Sequence, residues 1–196
     1  VSYLRFAISN SRTLSFGFAL MMTSSFGQTY FIALYGAHFR ETFSMPNGGV
    51  GSLYAVGTVM SALALPRLGL LIDKTPLPRY TLAVGTVLVL ASLATASSVG
   101  PITLGLSFFL LRLSGQGLCV HTAMTATAKS FPSDAGKALG IIALGLALAQ
   151  AIMPIAAVTM MHAIGWRWAW VLNASVVVLV IVPLLKRAPL PAPLKQ

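Results

Sequence analysis

Acidic residues are nearly missing from this sequence: Glu41, Asp73 and Asp134 are the only three in 196 residues. None lies inside an apolar stretch, which excludes a pair of intramembrane aspartates, and no H-E-x-x-H zinc motif occurs. Cysteine is limited to Cys119, so the chain forms no internal disulfide and has no C-x-x-C metal or redox pair. Charge of either sign is scarce, at 8% against about 25% in a soluble domain, too little to cover a water-soluble globule of this size. The opening VSYLRFAISNSRTLS is not apolar enough to serve as the core of a cleavable signal peptide. The chain begins at Val1 rather than Met, which points to a fragment.

What the sequence does have is apolar length. Hydrophobic residues make up 57% and mean hydropathy is +0.85, the composition of an integral membrane protein. Residues 13–39, 42–66, 80–111, 138–166 and 168–185 carry no Asp, Glu, Lys or Arg. Residues 113–128 continue past a lone Arg112, and SSVGP at 97–101 divides the longest run. A helix needs about 20 apolar residues to cross the hydrocarbon layer. The pattern therefore predicts an all-α polytopic fold with spans at 14–37, 48–71, 80–97, 102–127, 137–161 and 168–185. Residues 1–13 are read as a tail before this bundle (14–185), and 186–196 as a Pro-rich tail after it. Gly57 with Ser61, and Gly136 with Gly140, fit the small-xxx-small spacing of close helix contacts.

Net charge is +10. The Lys and Arg residues sit between apolar runs and form no cluster, so they orient spans in a bilayer and make no nucleic-acid surface. With the N-terminus cytoplasmic, Arg5, Arg12, Arg67, Lys74, Arg79, Lys129, Lys137, Lys186, Arg187 and Lys195 all face inside. Only Arg40 and Arg167 face outside. This bias puts both termini in the cytoplasm of a cell (plasma or inner) membrane protein.

Four motifs stand on this frame. GLLIDKTPLPR (69–79) places Gly69, Leu71, Asp73, Lys74 and Arg79 in a short loop after the second span. LRLSGQGL (111–118) puts Arg112 near the bilayer midplane, with Gln116 four residues on. A charge at that depth costs roughly 2.5–3.5 kcal/mol on insertion scales, so a paired or functional role is the default. GIIALGLALAQAIMP (140–154) contains Gly145, Gln150 and Pro154, which suit a bent, closely packed helix. GWRWAWVLN (165–173) holds every tryptophan of the chain, placed for a bilayer interface.

The first motif is similar to the G-x-L-x-D-R/K-x-G-R-R/K loop of the major facilitator superfamily. It departs at Pro76, where the family has glycine, and in a distal basic cluster reduced to Arg79. The other three stretches resemble the family's fourth, fifth and sixth helices, and GWRWAWVLN does so most closely. The resemblance covers essentially the whole chain. It implies the N-terminal half of a twelve-helix secondary transporter, built as two inverted three-helix repeats, with no cofactor. The partners implied are a small-molecule substrate, the lipid bilayer, and a C-terminal six-helix bundle or second half-chain.

Ser24, Gln28, Phe31 and Tyr35 recur at helical spacing on one face of span one. With Arg112 and Gln116 they form the expected substrate site. Arg112 suits an anion, because no acid lies in any span. Asp73 and Arg79, with Gly69 and Lys74, form the expected gate, while Gly145 and Pro154 bend span five. His121 is read as a helix contact, and Glu41 as a partner for Arg40. A rhomboid-type protease is disfavoured, since RLSG lacks the first glycine of GxSG and span six has no histidine. The alternative reading is a membrane subunit, scaffold or transporter relic without transport activity.

Overall fold

The computed structural model describes residues 3–188, so residues 189–196, most of the expected Pro-rich tail, lie outside the described residues. The described chain is helical throughout apart from its turns. A short α1 (Tyr3–Ser9) leads into α2 (Ser11–Thr23), a 3-10 turn at Ser24–Gly27, α3 (Thr29–Leu34) and α4 (Gly36–Thr42). Next come α5 (Gly49–Gly69), a 3-10 turn at Leu70–Asp73, and α6 (Leu77–Ala96). α7 (Pro101–Leu111) continues through a π-helical segment, Arg112–Cys119, into α8 (Val120–Ser130), and α9 spans Ala135–Leu185.

Local chemistry sets these limits. Gly48, at φ 87, turns the chain into α5 in a conformation that glycine adopts without strain. Pro101 opens α7 at a position where its missing N–H costs nothing, and the Thr103 hydroxyl accepts the Val99 and Gly100 N–H groups at 3.1 and 3.2 Å.

Among the described residues four helical stretches are long and apolar enough to cross a membrane: Gly49–Asp73, Leu77–Ala96, Pro101–Ser130 and Ala135–Leu185. The last is a hairpin. Gly165 takes φ 79 and ψ 160, a region open essentially to glycine alone, and it is the only residue of α9 with non-helical dihedrals. The two arms run in opposite directions past residues 11–42. In the first arm, Gly145 and Ile142 meet Phe18 and Gly17. In the second, Trp166 meets Phe39, Asn173 meets Tyr35, and Lys186 at the far end accepts a bond from Arg12. The expected spans 137–161 and 168–185 thus join through one glycine instead of a loop.

The stretch expected as a continuous helix at 14–37 is broken. It passes through the 3-10 turn and an extended Gln28 at φ −79 and ψ 150, then resumes as two short helices. Close packing explains the break. A Cβ on Gly27 would collide with the Leu111 carbonyl oxygen and come within 2.8 Å of the Gly115 Cα. A Cβ on Gly115 would lie 2.7 Å from Gly27 in return. Two irregular backbones, the turn and the π-segment, therefore touch through paired glycines. Gly57 also packs closely, with its Cβ position 2.9 Å from the Phe109 nitrogen, and Ser61 beside it is buried. A Cβ on Gly136 or Gly140 would meet nothing within 4 Å among the described residues, so there that second small-residue pair faces open space.

The core is aromatic where α3 and α4 meet the second arm of α9. Tyr35 lies 4.9 Å from Trp170, Phe31 lies 5.7 Å from it, and Phe39 packs 5.2 Å from Trp166. Trp170 is fully buried and only Trp168, 65% exposed, points outward, so the interface expected for all three tryptophans fits Trp168 alone.

Gly27→Ala should destabilise the fold by an overpacking cost at the upper end of roughly 1–3 kcal/mol, because a backbone oxygen cannot move aside as a side chain would. Gly140→Ala, facing open space, should leave stability within about 0.5 kcal/mol. Thermal unfolding of the two purified variants in detergent checks the contrast.

Candidate functional site

Arg112 is 8% exposed and sits eleven residues into the Pro101–Ser130 crossing. Its Nε donates to the Thr58 hydroxyl at 3.1 Å. Its Nη1 donates to the Gly27 carbonyl and to the Thr29 hydroxyl, both at 3.4 Å. The Thr29 hydroxyl in turn shares a 2.6 Å hydrogen bond with the Tyr54 hydroxyl, and the guanidinium lies 5.1 Å from the centre of the Tyr54 ring. Every one of these partners is neutral. The three acids of the chain are elsewhere: Glu41 lies in α4, while Asp73 and Asp134 pair with Lys129 and Lys137.

The local backbone makes this arrangement possible. The extended Gln28 breaks the first helical stretch and leaves the Gly27 carbonyl without its helical donor, and Arg112 supplies one. Arg112 itself opens the π-segment, a wider turn that occurs often at functional sites. Tyr54 and Thr58 stand one turn apart on α5, so both reach the same guanidinium. Sequence reasoning missed Thr29, Tyr54 and Thr58. The signal available was two hydroxyls at i and i+4 in an apolar span.

Gln116 lies one turn beyond Arg112, with its Oε1 buried and unpartnered among the described residues. Gln28 is half-buried beside the break. The other expected site residues are enclosed by the bundle itself. Ser24 is fully buried and donates to the Met21 carbonyl of its own helix at 2.7 Å. Phe31 and Tyr35 belong to the aromatic core, where Asn173 Nδ2 donates to the Tyr35 hydroxyl at 3.3 Å. All three are buried, and Phe31 and Tyr35 pack against Trp170 of α9. The exposed face of the first stretch carries Thr29, Ala33, Ala37 and Arg40.

The loop motif also builds a definite contact. Asp73 pairs with Lys129 at the end of α8, and not with Arg67 or Arg79 or a helix N-terminus. The bond ties the turn after α5 to the end of the crossing that carries Arg112. Among the described residues Lys74 and Arg79 make no side-chain hydrogen bond or ion pair. Gly69 gives its carbonyl to His121 Nε2 at 3.1 Å, and the Leu68 carbonyl accepts the Tyr80 hydroxyl at 3.0 Å. Two carbonyls at the end of α5 thereby accept bonds from neighbouring helices. His121 makes the helix contact expected of it. Arg40 bonds Asn47 at 3.3 Å in place of Glu41. On α9, Gly145 is buried, with its Cβ position in collision with the Phe18 carbonyl. Pro154 is half-buried and keeps helical dihedrals, and Gln150 is exposed.

A family model described as Major Facilitator Superfamily matches residues 16–196. No curated protein matches the chain.

Thr58→Val removes the acceptor for Arg112 Nε while keeping the side-chain shape. A hydrogen bond to a charged group is worth about 1.5–3 kcal/mol, so the variant should unfold at a clearly lower temperature than wild type. Thr58→Ser, which keeps the hydroxyl, should recover most of that loss in the same thermal measurement.

Proposed function

The chain belongs to the Major Facilitator Superfamily, whose members are membrane transporters, and we propose that it carries a small anion through an alternating-access route with Arg112 as the binding charge. One observation carries the reading: a permanent cation is held in mid-crossing by neutral groups alone, while every acid of the chain lies at a bundle end. A guanidinium remains charged at any physiological pH and offers its donors as a planar fork, matched to carboxylate or phosphate oxygens. An anion would complete the pairing that the polypeptide leaves open. Thr29, already bonded to the guanidinium, would orient such a ligand, together with Gln28 beside it in the chain and Gln116 one turn on from Arg112.

In this reading the chain makes six crossings: the broken stretch 11–42, the helices Gly49–Asp73, Leu77–Ala96 and Pro101–Ser130, and the two arms of Ala135–Leu185. They form two inverted triplets. The end bearing Arg12, Asp73, Lys129 and Lys186 faces the cytoplasm of a plasma or inner membrane, on the strength of the basic-residue bias. The Asp73–Lys129 pair steadies that end in the closed state, with Lys74 and Arg79 exposed beside it to engage a second bundle. That second six-helix bundle would cover the open face formed by Thr29, Ala33 and α5. Substrate enters between the bundles, and their rocking exposes Arg112 to each side in turn.

Uptake by the full-length protein in proteoliposomes, screened over organic and inorganic anions, tests the proposal. Arg112→Ala should lower uptake of the active anion, normalised to folded protein, by at least about tenfold, the scale of one lost charge-assisted contact, with membrane insertion retained but a lower melting temperature, since the bonds to Thr58, Gly27 and Thr29 go with it. Undiminished uptake by Arg112→Ala would overturn the site. Transport confined to cations would overturn the substrate class.

A further inference from the structure

A second feature of the bundle lies at the end opposite the Asp73–Lys129 pair. A groove of about 440 Å³ runs between the end of α6 and the second arm of α9, lined by Leu93, Ala96, Ser97, Arg167, Trp168 and Val171. A neighbouring hollow is lined by Ile164, Trp168 and Leu172, so the exposed indole of Trp168 stands between two open troughs. The walls are apolar except for Ser97 and Arg167, and the Ser97 hydroxyl is already turned back to the Leu93 carbonyl at 2.9 Å.

Arg167 is the fixed charge of this groove. Its Nη1 donates to the Ala96 carbonyl at 2.6 Å, and its guanidinium lies 4.3 Å from the Trp166 ring and 6.0 Å from the Phe43 ring. These contacts hold the group in place without neutralising it. Among the described residues its Nε and Nη2 have no acceptor, and no acid pairs with it. A guanidinium has five donors, so most of its capacity remains open. An exposed tryptophan beside a cation marks the level where lipid headgroups meet acyl chains.

We propose that this groove seats one glycerophospholipid, with the phosphodiester on Arg167 and an acyl chain along Leu93, Val171 and Trp168. The chemistry selects a lipid over a free phosphate ion, because the cation stands at the mouth of an apolar trough that a bare anion cannot fill. Planar phosphate recognition suits arginine in particular. The site is independent of the route past Arg112: different helices build it, at a different depth.

Native mass spectrometry of the full-length protein, exchanged into detergent with phosphatidylglycerol, reads the occupancy. Wild type should retain one lipid per chain through delipidation. Arg167→Gln should reduce retention about tenfold, the scale of a lost charge-assisted contact. Leu93→Trp fills the trough while keeping Arg167 on Ala96, and should reduce retention similarly at unchanged melting temperature. Inorganic phosphate in excess should not displace the lipid. Equal retention in wild type and both variants, loss in only one variant, displacement by phosphate, or a second copy of the chain held in place of lipid would each overturn the assignment.

Discussion

A guanidinium cannot shed its charge, and halfway along an apolar crossing that charge has to be met by other groups. The bundle around Arg112 is arranged to meet that constraint with dipoles instead of a carboxylate. One acceptor is a threonine hydroxyl on α5, another is a hydroxyl on α3, and the third is a backbone carbonyl that exists as a free acceptor only because the first helical stretch breaks. The break in turn needs Gly27 and Gly115 to meet without side chains, and the π-segment gives the second glycine room. A charge, two glycines and two irregular backbones thus form one interdependent unit. Irregular backbone at membrane depth is tolerated only where protein or a cavity covers it, and here it is covered by its own counterpart.

The same logic operates at the helix ends, where four carbonyls of each helix lack internal donors. Helices elsewhere in the bundle supply donors to a few carbonyls at these ends. Tyr80 and His121 serve the Leu68 and Gly69 carbonyls, Arg167 serves Ala96, and Arg12 serves Lys186. These capping groups are long polar side chains that come from another helix, added to local serines such as Ser97 on the Leu93 carbonyl. Each therefore ties two crossings together as well as finishing one. Arg167 shows the economy of the GWRWAWVLN stretch: Gly165 turns the chain, Trp166 and Trp170 fill the aromatic core, and the arginine between them closes α6.

For the proposed transport cycle, the long bonds matter more than the short one. The contacts from Arg112 to Gly27 and Thr29 are 3.4 Å, against 3.1 Å to Thr58. An incoming anion would compete first for the weaker pair, and those are the two that brace the broken stretch. Ligand binding would then shift the population of the break itself, since a ligand moves an equilibrium only through contacts that differ between states. The Asp73–Lys129 tie lies at one end of the crossing that carries Arg112, so in that cycle both contacts would act on one helix.

Much of this was legible in the sequence. Scarce charge and long apolar runs determined an all-helical membrane protein, and SSVGP at 97–101 separated α6 from α7, whereas the turn between the α9 arms at Gly165 was expected as a loop. The depth of Arg112 followed from counting residues along its run, since rise per residue is fixed in a helix. Partners were another matter. Periodicity put Ser24, Phe31 and Tyr35 on one face, and only packing decided that Phe31 and Tyr35 meet Trp170. The choice of Lys129 over Arg79 for Asp73 likewise needed two distant helix ends brought together. Sequence alone determined which segments are apolar and where charge is tolerated, because hydrocarbon imposes that on each segment separately. Tertiary structure decided which groups meet, because a hydrogen bond depends on the separation of two atoms that the order of residues along the chain does not set.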